Sequence, residues 1–468
     1  MALRPLVLLL VPSLLLVQAC TSDDKSNDGP EGMGGEPSSN SGSSTGAQSS
    51  SAGKTGSGAT GATDATGGSS DAGSTGSGAT GGMDGTGATG GDGNGDPPAL
   101  PSAKAKAIVV GRLHSCAVTT AGAVRCWGAS DHGQIGNGVV DSTSAGVFAT
   151  PVQVQGLTSG VTDIASAFGD HTCVVVSGGV KCWGANDEGQ LGDGSTDESA
   201  VPVDVKGLDS GVVAVAVGLQ NSCALLESGS VKCWGKNDFG QLGDDSDVEN
   251  SPEPVDVAGL NDADFISAGL AHVCVITAGK TMKCWGSNLY AELGLGQEGN
   301  GAHKPGAVPN LTNVAAIATG DNVTCAATTA GALSCWGKNA DGQVGNGESG
   351  TQLVQETPAA VTGLTSGVTA VSSGYGFTCA VHSGAAKCWG SNFYLVLGNG
   401  EGPSFTSETA VAVTGLDQGV SKLAGTSSDH VCALLGSGAV QCWGSGSGAL
   451  GNGTDDNAPV PGAVISLP

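Results

Sequence analysis

Seven times between residues 116 and 443 this chain places two cysteines nine or ten positions apart, and each time the second cysteine is followed by Trp-Gly. All seven tryptophans stand in that tripeptide, at 127, 183, 234, 285, 336, 389 and 443, with spacings of 56, 51, 51, 51, 53 and 54 residues. A period near fifty repeated seven times is the signature of a propeller or a solenoid. Within a unit the apolar runs are short: "VVAVAVG" (Val212 to Gly218), "CALL" (Cys223 to Leu226), "SVKCWG" (Ser230 to Gly235) and a fourth such as "PVDV" (Pro202 to Val205). Strands of this length, separated by Gly-rich turns and free of helical periodicity, predict an all-β, seven-bladed β-propeller with four-stranded antiparallel blades.

Cysteine arithmetic fixes the register. Setting Cys20 aside, fourteen cysteines form seven pairs, one per unit, with nine residues between partners in five units and eight in two. If partners face one another across a hairpin with three residues on each flank, the turn holds three residues or two. Three-residue turns require Gly in the left-handed region at their third position, where Gly122, Gly229, Gly331 and Gly438 fall; Ser177-Gly178 and Ser383-Gly384 suit the two-residue turns. "AGK" (Ala278 to Lys280) departs, its Gly one place early. Opposed, non-hydrogen-bonded partners lie within disulfide reach. The predicted bridges are Cys116–Cys126, Cys173–Cys182, Cys223–Cys233, Cys274–Cys284, Cys325–Cys335, Cys379–Cys388 and Cys432–Cys442. Zinc would need paired Cys-x-x-Cys ligands or supporting histidines that these hairpins do not supply.

The folding part is residues 104–468. Residues 20–103 are dominated by Gly, Ser, Thr, Ala and Asp, with too few large apolar side chains to offset the entropy of ordering, and read as a solvated tether. Residues 1–19 carry Arg4, an apolar core from Leu6 to Val17 and then Gln18-Ala19, an export signal too short for a comfortable membrane span. The ending "Val-Gln-Ala-Cys" resembles the lipobox of bacterial lipoproteins, which implies cleavage before Cys20, lipidation of its thiol and attachment to the membrane through that anchor only. Thr21 is not the Asp that favours inner-membrane retention, so the expected location is the cell envelope, as an outer-membrane lipoprotein facing periplasm or exterior. Export places the remaining cysteines in an oxidising compartment.

Of the formal charge of −26, −19 falls on residues 104–468. A surface this acidic repels nucleic acid.

The unit consensus "GLxSGVxxIAxGxxHxCAVxxxGxVxCWGxNxxGQLGxG", clearest in Gly156 to Gly194 and Gly207 to Gly243, resembles the repeat of the regulator of chromosome condensation family. The resemblance implies a seven-bladed propeller over essentially all of residues 104–468. Its nuclear founding member exchanges guanine nucleotide on the GTPase Ran and binds chromatin, roles that do not suit an exported acidic protein; bacterial relatives include secreted inhibitors that clamp β-lactamases with one propeller face. Two features depart from the pattern: the cysteine pairs, and "GALG" (Gly448 to Gly451) in place of "GQLG".

Catalytic signatures are poor. "GSSTG" (Gly42 to Gly46) and "GSGATG" (Gly56 to Gly61) mimic nucleophile-elbow and dinucleotide patterns, but both lie in the tether, without the strand and helix those motifs need. His114, His171, His272 and His430 recur two residues before the first cysteine of a pair, a place taken elsewhere by Asn221, Val323 and Phe377. They suggest either a ring of metal ligands or, as in the family consensus, a histidine bonding the first turn. "GDGSTDES" and "DDSDVEN" are acidic loops without full calcium-loop spacing. No metal, cofactor or catalytic residue is assigned.

The turn between strands one and two and the loop between strands three and four share a face, and that loop varies most between units. Variable loops on a rigid frame are where recognition resides. The rare aromatics gather there: Phe239 in blade 3, Leu289 and Tyr290 in blade 4, and Tyr375, Phe377, Phe393, Tyr394, Leu395 and Phe405 in blade 6. Aromatic residues are enriched at binding hot spots. They form the candidate surface for an unidentified protein partner; alternatively they plug the centre or pack between blades. The expected molecule is a monomeric, lipid-anchored, non-enzymatic binding module. The alternatives are an envelope hydrolase or lyase acting on polysaccharide, which requires a carboxyl pair at defined separation, and a structural spacer or adhesin.

Overall fold

Runs of β-branched and small residues such as Val212 to Val217 form short strands, and every unit folds into four strands in chain order, the second and third mostly buried and the fourth half-exposed at the blade's outer edge. Blade 1 comprises Ala105–Val110, His114–Thr119, Val124–Ala129 and Val147–Gln153. Six further four-stranded sheets follow, whose first strands begin at Val161, Val212, Ala263, Val314, Val368 and Val420. These are features of a computed structural model, which describes residues 104–141, 146–426, 429–465 and 467. The signal segment, the tether and Cys20 lie outside the described residues.

The cysteine register is the predicted one. Each partner stands directly opposite its mate across the middle hairpin, and all seven bridges are formed, with Cα–Cα distances of 4.0 to 4.2 Å. The turns also follow the sequence. Gly122, Gly229, Gly331 and Gly438 are left-handed, and Ser177-Gly178 and Ser383-Gly384 are left-handed at both positions, as a two-residue hairpin turn requires. In the exceptional blade 4 turn the left-handed residue is Lys280, φ 57°, so the displaced Gly leaves turn length and register unchanged.

Each tryptophan marks two further events. The ladder between third and fourth strands shifts register at that position in all seven blades, for example between Cys233 and Gly235. The indole then reaches into the loop of the preceding blade: Nε1 of Trp183, Trp234, Trp285, Trp336, Trp389 and Trp443 donates to the carbonyls of Gln134, Gln190, Gln241, Glu292, Gln343 and Val396 at 2.8 to 3.0 Å. Trp127 does the same to Ala449 of the last blade at 2.8 Å. The glycine two residues past each acceptor carbonyl is a close approach; a Cβ on Gly243 would lie 2.6 Å from Trp285 Nε1.

The core is correspondingly divided into seven apolar clusters, one between each pair of neighbouring blades, each holding the tryptophan of the later blade. The seventh joins Val110 and Trp127 to Leu434 and Leu450. Among the described residues closure exchanges no strand between the termini; it rests on side-chain packing, supplemented by the Trp127 bond and a backbone bond from Ala105 N to Gly438 O of 2.9 Å.

Candidate functional site: an aromatic loop face over blades 4 to 6

In blades 2 to 6 the chain past Cys-Trp-Gly is held by a buried asparagine, Asn186, Asn237, Asn288, Asn339 or Asn392. Oδ1 of Asn288 accepts from Leu293 N at 3.1 Å while Nδ2 donates to Gln297 O at 2.9 Å. Asn392 does likewise with Leu397 N at 2.9 Å and Glu401 O at 3.0 Å. The residues between are thus presented outward on a fixed turn. In blades 1, 2, 3, 5 and 7 a glycine occupies the left-handed position of that turn; blades 4 and 6 use Ala291, φ 58°, and Leu395, φ 63°. Side chains in that region are strained and are tolerated where surroundings impose them.

These two blades carry the exposed aromatics. Phe393 is 67 % exposed, Tyr375 53 %, Leu289 45 % and Tyr394 37 %, with Tyr290 half-buried. Phe393 and Tyr394 meet edge to face, centroids 4.8 Å apart. Blade 5 joins the blade 4 and blade 6 groups through a lysine, a residue outside the aromatic set. Lys338 places Nζ 5.2 Å from the ring centre of Tyr290 and 6.0 Å from that of Tyr375. Lys236, at the same place in blade 3, instead pairs with Asp238 at 3.1 Å and Glu188 at 3.5 Å. Blade 5 has Ala340 where blade 3 has Asp238, and the lysine turns to the aromatic faces. Beside it, Asp341, Tyr375, Ser391, Phe393, Tyr394 and Val396 line a hollow of about 250 Å³. Asp321, in the first turn of blade 5, has its carboxyl pushed up to about 6 by burial, with Lys338 opposing the shift.

The remaining candidate residues separate. Phe377 does not belong to the exposed face: it is 0 % exposed and packs in the core between blades 6 and 7 with Val431 and Trp443. Phe405 is partly buried against that same core. Leu395 is half-buried. Phe239 lines a different hollow, with Leu219, Lys236 and Leu270, between blades 3 and 4. A third, polar hollow across blades 1 to 3 contains Arg112, paired with Asp170 at 3.4 Å, and His132, bonded to Glu198 at 3.1 Å. The innermost strands leave a small central cavity of about 170 Å³, lined by residues such as Ile108, Ile317, Val371 and Leu423.

The four recurrent histidines are fully buried and bind the next blade rather than their own first turn. Nε2 of His114, His171 and His272 lies 2.9 Å from the hydroxyls of Thr172, Ser222 and Thr324, and that of His430 lies 2.7 Å from Ser115. Burial lowers all four to about 3, so they are neutral. Among the described residues no three His, Cys, Asp or Glu side chains come together as metal ligands.

The blade geometry agrees with comparison to known proteins. Residues 105–134, 212–241, 264–291 and 314–343 match one model of the Regulator of chromosome condensation (RCC1) repeat, and 177–225, 228–276 and 330–381 match a second. The chain is 30 % identical over 391 residues to the secretion-regulating guanine nucleotide exchange factor of Bos taurus, covering 75 % of this chain and 81 % of that protein. It is 27 % identical over 381 residues to the ultraviolet-B receptor UVR8 of Arabidopsis thaliana, covering 80 % and 84 %. Prp20p of Saccharomyces cerevisiae, a structure described with binding to Gsp1p and histones, superposes with a TM-score of 0.64 at 21 % identity over 74 % of this chain and 87 % of that one. The fold and its repeating Trp-to-carbonyl belt define a disulfide-stapled seven-bladed β-propeller. The chain belongs to the RCC1 repeat family.

Proposed function

We propose that this propeller is a lipid-anchored binding module of the cell envelope that holds a protein partner on the loop face of blades 4 to 6. The observation that carries the reading is the group of exposed Tyr375, Phe393 and Tyr394 with half-buried Tyr290, joined across three blades by Lys338. An acidic chain with few aromatics has placed all three of its tyrosines here. Rigid aromatic anchors give contact area at little entropic cost, and their fixed presentation by Asn288 and Asn392 limits the ordering that binding must oppose. Relatives support a protein-directed role: Prp20p is described with binding to Gsp1p and histones, and the Bos taurus relative is an exchange factor. The lipid anchor and outer-membrane location rest on Val17-Gln18-Ala19-Cys20, and the exclusion of nucleic acid rests on the charge of −26. The module works as a monomer, without cofactor or catalysis.

The test is capture from envelope extract by the full, oxidised protein carrying a C-terminal tag. A discrete partner retained in stoichiometric amount by the wild type, and lost at least tenfold with Phe393→Ala/Tyr394→Ala of unchanged unfolding midpoint, is the expected result. Equal retention by the double variant removes the proposal.

A further inference from the structure

Resting on that reading, we infer that the hollow beside Tyr375 is a receptor for one cationic side chain, an arginine or lysine projecting from a basic protein surface. Three of its walls are aromatic: Tyr375, Phe393 and Tyr394. Ring faces attract cations through their quadrupole. The fourth wall carries Asp341, whose carboxylate has no Lys, Arg or His nitrogen within 4 Å among the described residues, whereas Asp238 near the corresponding place of blade 3 is paired with Lys236. Asp341 Oδ2 lies against the first turn of blade 6; a Cβ built on Gly376 would approach it to 3.2 Å. The carboxylate is therefore held at the seam between blades 5 and 6, beside the rings.

The neighbouring gap shows the same chemistry already satisfied within the molecule. Lys338 lies over both Tyr290 and Tyr375, so an ammonium group occupies one aromatic gap while the hollow with Asp341 has none. At about 250 Å³ the hollow holds the equivalent of about eight waters of ~30 Å³ each, the scale of one long side chain rather than a peptide segment. Charge complementarity selects the partner: residues 104–468 carry 33 acidic side chains against 14 basic ones, which steers a basic protein toward this surface and repels an acidic one.

The probe is a nine-residue Arg-Gly-Ser peptide titrated into the full oxidised protein and followed by tyrosine ring resonances, beside its twin with citrulline replacing arginine. The arginine peptide is expected to bind at least tenfold tighter than the citrulline peptide, to perturb Tyr375 and Tyr394, and to lose at least tenfold with Asp341→Asn while that variant keeps the wild-type unfolding midpoint. Phe393→Ala serves as a second variant and loses the same preference. Equal binding of the two peptides, no binding, full retention by Asp341→Asn, or preferential binding of a neutral oligosaccharide overturns the assignment. Should Asp341→Asn still capture the envelope partner while Phe393→Ala/Tyr394→Ala does not, the contact surface stands and the cation receptor falls.

Discussion

His430 in the last blade and Ser115 in the first are 315 residues apart in sequence and 2.7 Å apart in space. The Ser115 hydroxyl donates its proton to the carbonyl of Ala449 at 2.9 Å, so its oxygen is left to accept from His430 Nε2. The same carbonyl receives Trp127 Nε1. Blade 3 repeats the arrangement, with Ser222 between His171 and Gln190 O, which also accepts from Trp234. The ring is therefore closed by the same bonds that join its internal blades.

Ser115→Ala removes a buried hydroxyl and leaves the His430 Nε2 proton without it. Losing a buried hydrogen bond of this kind costs about 1 to 3 kcal/mol, and Ser115 and His430 are both buried. Ser222→Ala at an internal interface should cost a similar amount. Guanidinium unfolding under non-reducing conditions, followed by tryptophan emission, measures both; a Ser115→Ala protein as stable as the wild type contradicts this closure.

The residue two before each first cysteine faces the residue one before the first cysteine of the next blade. Histidine always faces Ser or Thr, while Phe377 faces Val431. Two blades depart: Val323 faces Thr378, which bonds Gln343 O instead, and Asn221 faces Val273, is buried, and neither of its amide atoms has a partner among the described residues. Asn221→Leu, close in shape and without polar atoms, is expected to stabilise the protein by about 1 to 3 kcal/mol. A higher denaturant midpoint at unchanged slope confirms this; a lower one contradicts it.

Much of the architecture is legible before any coordinates. Cysteine spacing gives hairpin register because a disulfide tolerates so little variation in strand separation, and turn glycines follow from turn length. Phe377 belongs to the core although its aromatic character suggests the surface: it stands in the column of His114 and His171, and its partner column holds Val431, so its burial is legible by comparing adjacent units. Lys338 and Asp341 were not readable in this way. Tyr290 and Tyr375 beside Lys338, and Tyr375 beside Asp341, come from other blades, and only the packing of blades 4, 5 and 6 on one another brings three units within reach of one ammonium group.

Acid should weaken the fold well above the pH at which most carboxylates titrate. His114, His171, His272 and His430 take up protons only near pH 3 when folded, but near 6.5 when unfolded, so the unfolded state binds more protons between those limits and stability falls as pH drops through them. Each histidine contributes about 1.4 kcal/mol per pH unit once below 6.5. Asp321 works the other way, since its folded carboxyl is protonated from about 6 downward, and the raised Asp163 and Asp170 have the same sign. Four histidines outweigh them between pH 6.5 and 5. The urea midpoint is expected to fall across that interval; a flat or rising midpoint contradicts the buried neutral histidines.

The claim that the aromatic face of blades 4 to 6 is the contact surface is tested most directly by a photo-crosslinking residue placed at Phe393, compared with the same residue at Glu227, in a hairpin turn at the opposite end of the blade. Irradiated in the intact envelope, the position 393 protein is predicted to give one discrete adduct of fixed mass and the position 227 protein none. Adducts of equal yield from both positions, or an adduct from 227 alone, would contradict it.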